Sequence, residues 1–268
     1  MNKHFVGTSR TGLLVGCFMS LVPLLQSCRA CGRADGKQQP AGKPTYRVGL
    51  SAEYPPFEFQ RDGRIVGLDV DLAQALGREL DAAIVIQEME FSALVPALQA
   101  GRIHMAISGM SRTPQREQNV SFSDVYYPNR LAAVGLSGNV AMQQKRLENR
   151  RIGAQLGTVM QRYANKVEGA RVTALAQHPQ LLQELKLGRI DVLVCEQAQA
   201  AEFVRAHPQL TSWIIGPMEG DAGYAVGFAK NSLLRDPVNR ALQRLREEGE
   251  LDTLIRKWVG EKRTGNGT

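Results

Sequence analysis

Ser51, Glu53 and Tyr54 follow the first apolar run of the folded part of the chain. Ser108-Gly109-Met110-Ser111, with Arg116 shortly after, follow a later run; Gln155, Gly157 and Thr158 follow another, and Glu196 a fourth. These residue types suit non-covalent recognition of a small polar molecule. Hydroxyls and amides both give and accept hydrogen bonds. A guanidinium offers a planar fork of donors that matches two oxygens of one anion. Thr158 stands where a strand gives way to a helix, and the unpaired N–H groups and dipole of a helix start favour an anion. Each residue also has a plain structural explanation: Arg116 as a surface arginine, Thr158 as a helix cap, Glu196 as a solvated carboxylate at a helix start, Phe91 as core. Bond-breaking chemistry has no comparable constellation. There is no phosphate loop, no His-Glu metal motif and no nucleophile elbow. His4, His104, His178 and His207 pair with no nucleophile in sequence, so no metal and no cofactor are expected.

The elements that must hold these residues alternate in type. Strand patterns at 47–51, 83–86, 104–108, 151–155, 172–175 and 191–194 are interleaved with helical patterns. Leu68, Leu72, Ala75, Leu76 and Leu80 mark one helix, with Asp69 as its expected cap. Further helices are expected at 92–100, 158–167, 181–187 and 198–205, and two more apolar stripes run through Leu234–Leu245 and Leu251–Trp258. This alternation predicts a mostly parallel sheet covered on both faces. One segment is written twice: Leu98, Gly101, Arg102 and Ile103 recur with the same spacing as Leu185, Gly188, Arg189 and Ile190. In both copies a helix ends, glycine makes the turn and an apolar strand follows. Two similar α/β lobes follow from this, and ligands of open α/β sheets sit beyond the carboxyl ends of their strands. Those ends carry the residues named first.

Composition narrows the class further. The 268 residues are 43% hydrophobic, enough for a sizeable core and too many for a disordered chain. The net charge of +7 comes from 33 basic residues spread among 26 acidic ones, with no basic patch interleaved with aromatics, so no nucleic-acid partner is expected. The four cysteines, Cys17, Cys28, Cys31 and Cys195, form neither a zinc spacing nor a dense disulfide framework.

Lys3 and Arg10 precede a short apolar run at 12–25, the pattern of an export signal over 1–27. Leu25-Gln26-Ser27-Cys28 resembles a bacterial lipobox, which implies acylation of Cys28 and anchorage to a membrane by lipid. Residues 28–45 are rich in glycine and proline and read as a flexible tether.

The strings YPPFEF, GLDVDLAQAL, LVPALQAGRIHMAISGMSRTPQR, FSDVYY, IGAQLGT and GRIDVLVCE, in this order over residues 46–261, resemble the bacterial extracellular solute-binding proteins of family 3, which take polar amino acids. The resemblance implies a two-lobe periplasmic-binding-protein fold with two crossover hinge strands, near 131–136 and 224–228. Lobe 1 would comprise 46–132 plus 226–268 and lobe 2 133–225. It further implies a binding subunit of an ABC importer, in the periplasm or at the cell surface, monomeric and docking on a permease in the inner membrane.

Arg116 matches the family's carboxylate-binding arginine, with Ser111 adding its amide and hydroxyl. Gly109 would offer its carbonyl to the ligand ammonium, and Glu196 aligns with the family's acidic partner of that ammonium. Ser51, Ser108, Met110 and Gly157 complete the strand ends, and Val159 supplies a backbone N–H beside Thr158. Tyr54 and Phe91 would wall the ligand side chain. Arginine or another basic amino acid is the expected ligand, arginine before lysine, because Glu53, with Glu90 as substitute, adds a carboxylate and Gln155 an amide acceptor. The resemblance implies binding without bond chemistry. The enzymatic alternative is a dehydratase of prephenate or arogenate on the same fold, with Glu196 as general acid.

Overall fold

The computed structural model describes residues 42–217 and 223–260. The expected export signal, Cys28 and most of the tether lie outside the described residues. The first lobe opens with β1 (Thr45–Leu50), then a small ribbon of β2 (Glu53–Tyr54), β3 (Glu58–Arg61) and β4 (Arg64–Val66). It continues with α1 (Leu68–Glu79), β5 (Ala83–Glu88), α2 (Phe91–Gln99), β6 (Met105–Ala106), α3 (Pro114–Glu117) and β7 (Val120–Pro128). The second lobe holds β8 (Arg130–Leu136), α4 (Val140–Gln144), β9 (Arg151–Gln155), α5 (Val159–Lys166) and β10 (Arg171–Leu175). There follow α6 (His178–Lys186), β11 (Val192–Glu196), α7 (Gln197–Ala206) and β12 (Leu210–Pro217). The chain then returns to the first lobe with β13 (Gly223–Ala229), α8 (Arg235–Glu247) and α9 (Glu250–Val259).

The described residues form two five-stranded sheets, β5-β1-β6-β13-β7 and β10-β9-β11-β8-β12, beside the ribbon β2-β3-β4. β1 is parallel to β5 and β6, and β9 is parallel to β10 and β11, as strand–helix alternation requires. The fourth strand of each sheet departs from that rule: β13 and β8 run antiparallel to their neighbours. Topology explains it. β1, β6, β9 and β11 run toward the cleft between the lobes, whereas a strand that has just crossed from the other lobe starts at the cleft and runs away from it. The first crossing lies between Pro128 and Arg130; β12 ends in the second lobe at Pro217, and β13 starts in the first at Gly223. The stretches 131–136 and 224–228, expected as hinges, are paired along their length inside β8 and β13.

The repeated segment has a packing cause. Ile103 follows the glycine turn after α2, and a Cβ added to Gly49 of β1 would stand 2.5 Å from its Cδ1. Ile190 follows the turn after α6, and a Cβ added to Gly153 of β9 would stand 2.4 Å from its Cδ1. In both lobes an isoleucine therefore lies over the bare backbone of the second strand of the sheet.

Each sheet is covered on both faces. In the first lobe α1, α8 and α9 bury Leu68, Leu72, Leu76, Val238, Leu242 and Leu251 on one side, and α2 buries Leu94 and Leu98 on the other. In the second lobe α4 and α5 bring Met142, Met160 and Ala164 to one face, and α6 and α7 bring Leu181, Leu185 and Phe203 to the other. Among the described residues no helix is long and apolar enough to cross a membrane.

Candidate functional site

A cavity at the strand ends is lined from the first lobe by Ser51, Tyr54, Glu58, Phe91, Ser108, Gly109, Ser111 and Arg116. The second lobe contributes Gln155, Thr158, Val159, Met160 and Glu196. Its volume is about 10 Å³, room for roughly one water molecule. The lobes have closed their own side chains over the site.

Arg116 projects from α3, whose start is capped by Thr113 Oγ1 accepting from the Arg116 N–H at 3.2 Å. The residue is 8% exposed, and its guanidinium lies over the Phe91 ring, 5.2 Å from the centroid. Nη1 donates to the Ser111 carbonyl at 2.7 Å, and Nη2 donates across the cleft to the Gly157 carbonyl at 3.1 Å. Carbonyls carry no net charge. Burial, helped by Arg162, lowers this guanidinium to about 9, so a carboxylate is the partner that would restore its charge balance.

Across the cavity the N-terminus of α5 faces the same space. Thr158 Oγ1 donates to the Gln155 carbonyl at 2.6 Å and accepts the Gln161 N–H at 3.2 Å. Thr158 is thus a cap and a cavity wall at once, and Val159 stands at the first helical position beside it. Gln155 lines the cavity while its Nε2 donates to the Ala176 carbonyl at 3.1 Å.

Glu196 ends β11 and is 1% exposed. It is hydrogen-bonded to the Tyr224 hydroxyl, and its Oε2 has no protein donor. Burial raises its carboxyl to about 8. A cation placed at Oε2 would supply both the missing hydrogen bond and the opposite charge that releases the proton. Tyr224 also meets Tyr54, hydroxyl to hydroxyl at 3.0 Å. The Tyr54 ring lies between Phe57 of its own lobe and His178 of the other, with centroids at 5.4 and 4.8 Å.

Gly109 adopts φ +50°, and a Cβ there would come within 3.0 Å of Tyr54 Cε1. Only glycine takes this turn without strain. Ser51 donates its N–H to Ser108 Oγ at 3.0 Å, and Ser108 Oγ donates to Glu58 Oε1 at 2.7 Å.

Three residues expected at the ligand stand apart from this cavity. Met110 is fully buried among Phe91, Leu94 and Leu98; only its backbone is engaged, its carbonyl accepting the Ala225 N–H at 3.0 Å. Gly157 reaches the site through the carbonyl that holds Arg116. Glu53 pairs with Phe59 in the β2–β3 hairpin, while Tyr54 pairs with Glu58. Successive strand residues point to opposite faces, so with Tyr54 at the cavity Glu53 is directed away from it. Glu53 instead lines an adjoining cavity of about 190 Å³ with Glu88, Glu90 and Gln177, and Ser51 borders both spaces. Burial, with Glu88 and Glu90 nearby, raises the Glu53 carboxyl above its usual range.

Several residues of the site escaped the sequence reading. The cross-strand pairing with Tyr54 was the signal for Glu58, and it needed the hairpin register to be seen. Met160 lies one helical position beyond Val159. Asp69, expected to cap α1, does not: the first N–H groups of α1 are taken by the Pro56 and Phe57 carbonyls, which leaves the Asp69 side chain to accept from Gly109 N–H and the Tyr126 hydroxyl. Among the described residues no group of three or more His, Cys, Asp or Glu is arranged to hold a metal ion.

The description "Bacterial extracellular solute-binding proteins, family 3" matches residues 46–261. The chain is 33% identical over 238 residues to the arginine-binding extracellular protein ArtP of Bacillus subtilis, covering 87% of this chain and 93% of that one. It is 33% identical over 217 residues to a probable histidine-binding protein of Campylobacter jejuni, covering 80% and 84%. Among solved structures, an ancestral arginine-binding protein bound to arginine superposes with a TM-score of 0.75 at 33% identity, covering 81% of this chain and 99% of that one.

Proposed function

The chain belongs to the bacterial extracellular solute-binding proteins of family 3, and from that premise we propose that it captures a free amino acid for an ABC importer, with arginine preferred. One observation carries the reading: Arg116 and Glu196, a buried cation and a buried carboxyl without a counter-charge in contact, face one cavity from opposite lobes. An amino acid presents the complementary pair. Its carboxylate meets the Arg116 fork, Ser111 and the start of α5; its ammonium meets Glu196 and the Gly109 carbonyl. Each lobe supplies part of the shell, so the closed form alone satisfies both ends of the ligand, and the ligand selects that form.

The side chain leaves past Ser51, between Tyr54 and Phe91, toward the space bordered by Glu53, Glu88 and Glu90. Three carboxylates around one opening favour a cation and repel glutamate. A guanidinium reaches that far and suits flat aromatic walls. The arginine named for the relatives points the same way.

A competition series of arginine, lysine, histidine, glutamine and glutamate on ligand-stripped protein tests this reading. Arginine is expected to bind tightest. Tighter binding of glutamine would defeat the basic-ligand reading, and arginine affinity indifferent to Glu53→Gln together with Glu90→Gln would defeat its mechanism.

Binding without bond chemistry is part of the same reading. Incubation with prephenate or arogenate is expected to yield no aromatic product. The protein acts outside the cytoplasmic membrane, held by lipid on Cys28 and docking as a monomer on the permease. Cys28→Ser should take up no lipid label and should release the protein; an unlabelled wild type with a different mature N-terminus would refute the anchor.

A further inference from the structure

Glu58 and Asp69 are buried carboxyl groups that the capture of an amino acid leaves without a task; they are 1% and 0% exposed. They hold consecutive residues of the turn that follows β6. Glu58 Oε1 accepts from Ser108 Oγ at 2.7 Å, and Asp69 Oδ2 accepts the Gly109 N–H at 2.6 Å. Bound to consecutive residues, the two carboxyl groups are brought close to each other. Tyr126 of β7 donates its hydroxyl to Asp69 Oδ1 at 2.9 Å, Tyr224 of β13 faces the pair, and Glu196 lies beyond Tyr224. The other charged groups of α1 are on its outer face: Asp71 with Lys257, Arg78 with Glu250, and Glu79 with Arg244. Arg61, the cation of β3, lies over Phe59 and Trp258. These cations are engaged elsewhere, and Arg116, which lines the same cavity as Glu58, is taken up by the Ser111 and Gly157 carbonyls.

Two neighbouring carboxylates buried from solvent do not both ionise readily. Glu58 Oε2 has no protein donor, which an acid group explains, since its own O–H becomes the donor toward Asp69. Asp69 accepts from two donors and is the better seat for the charge. We propose that Glu58 and Asp69 hold one proton between them, with Glu58 as the acid, and that this pair is a positioning device that fixes Ser108 and Gly109 for the ligand. Burial and the Asp69 charge hold Glu58 well above the usual carboxylate range, whereas burial lifts Asp69 only to about 6 against the pull of its donors. The proposal rests on the reading of the cavity as an amino-acid site, because the Gly109 carbonyl and Ser111 are the contacts being positioned.

The test has one arm that needs no ligand. In full-length protein carrying Glu196→Gln, infrared spectra at neutral pH are expected to show a protonated-carboxyl band that Glu58→Gln removes. Absence of the band, or its survival in the double variant, overturns the shared proton. Wild-type protein at neutral pH should show two such bands, one of which titrates near pH 8 with Glu196, which checks the point if Glu58→Gln fails to fold. The second arm is arginine affinity. Glu58→Ala removes both the acceptor for Ser108 and the donor to Asp69 and should weaken binding by about tenfold or more. Glu58→Gln can accept from Ser108 and donate to Asp69 as the acid does, and should recover most of that loss. A folded Glu58→Gln as weak as Glu58→Ala overturns the proposal. Should wild type bind no arginine, the ligand reading falls, and the band alone decides the shared proton.

Discussion

In the closed form Arg116 is held in place by contacts from both lobes. Two carbonyls and an aromatic face fix its fork, so little orientational freedom remains to be lost on binding. Removing one partner of a desolvated charge pair typically costs ~2–5 kcal/mol. Arg116→Ala is therefore expected to weaken arginine binding by at least about tenfold, since ~1.4 kcal/mol is a factor of ten. Arg116→Lys keeps the charge and loses the fork, and should fall between wild type and alanine. The ligand-free melting temperature should not drop in Arg116→Ala, because the charge buried against neutral carbonyls is removed with the side chain. Calorimetry and a thermal melt on each variant check the three statements; unchanged affinity in Arg116→Ala would take the residue out of the site. At this scale the sequence was informative where a motif carried the chemistry, as with the Ser-Gly-Met-Ser turn and Arg116, one of two arginines that follow it. It was silent on Glu58 and Asp69, whose roles depend on what lies opposite them.

Among the elements, β1 and β9 show how local patterning becomes packing. Gly49 and Gly153 leave room for Ile103 and Ile190, and the same isoleucines follow the same glycine turns. Gly153→Ala crowds the Ile190 Cδ1 and is expected to cost ~1–3 kcal/mol, as overpacking does. Adding Ile190→Val removes the opposing methyl, so the double variant should regain most of that stability. Denaturant midpoints of the two single variants and the double variant measure the coupling, and strict additivity would show that the two groups do not compete for one space. The helices and the inner parallel strands were legible because apolar periodicity depends on near neighbours in sequence. The strand expected at 104–108 is present but shortened to β6, Met105–Ala106, and the short ribbon β2-β3-β4 was not legible, since its pairing is fixed by contacts across turns.

At the scale of the whole molecule, closure buries groups whose protonation then governs stability. Glu196 is held at about 8 against an ordinary 4.5. The unfolded chain releases that proton first, so the associated stability is full below 4.5 and is lost as pH rises through about 8. Glu58 and Asp69, also raised, act in the same direction. His178 acts oppositely. Burial lowers it to about 4 from 6.5, so its contribution is full above 6.5 and is lost as pH falls through 4. Three raised carboxyls outweigh the one lowered imidazole, so the protein is expected to lose stability as pH rises from about 4.5 through 8. Glu196→Gln should lessen that loss and His178→Phe should steepen it below pH 6.5, as thermal melts across pH would read. A melting temperature that climbs steadily from pH 6.5 to 8 would contradict the buried, closed state of these groups.

Periodicity, glycine turns and one repeated segment were enough in the sequence alone to establish alternating elements, two related lobes and the strand ends where polar residues gather. Those features are local, written within a turn or a strand of the residues that express them. The tertiary structure alone decided which strand-end residues share a face. Hairpin register turned Glu53 away and Glu58 inward, and core packing withdrew Met110. The approach of the second lobe placed Gly157 against Arg116 and His178 against Tyr54. Burial, register and cross-lobe contact are properties of the assembled chain, because each is set by residues far apart in sequence that meet only when both sheets are complete.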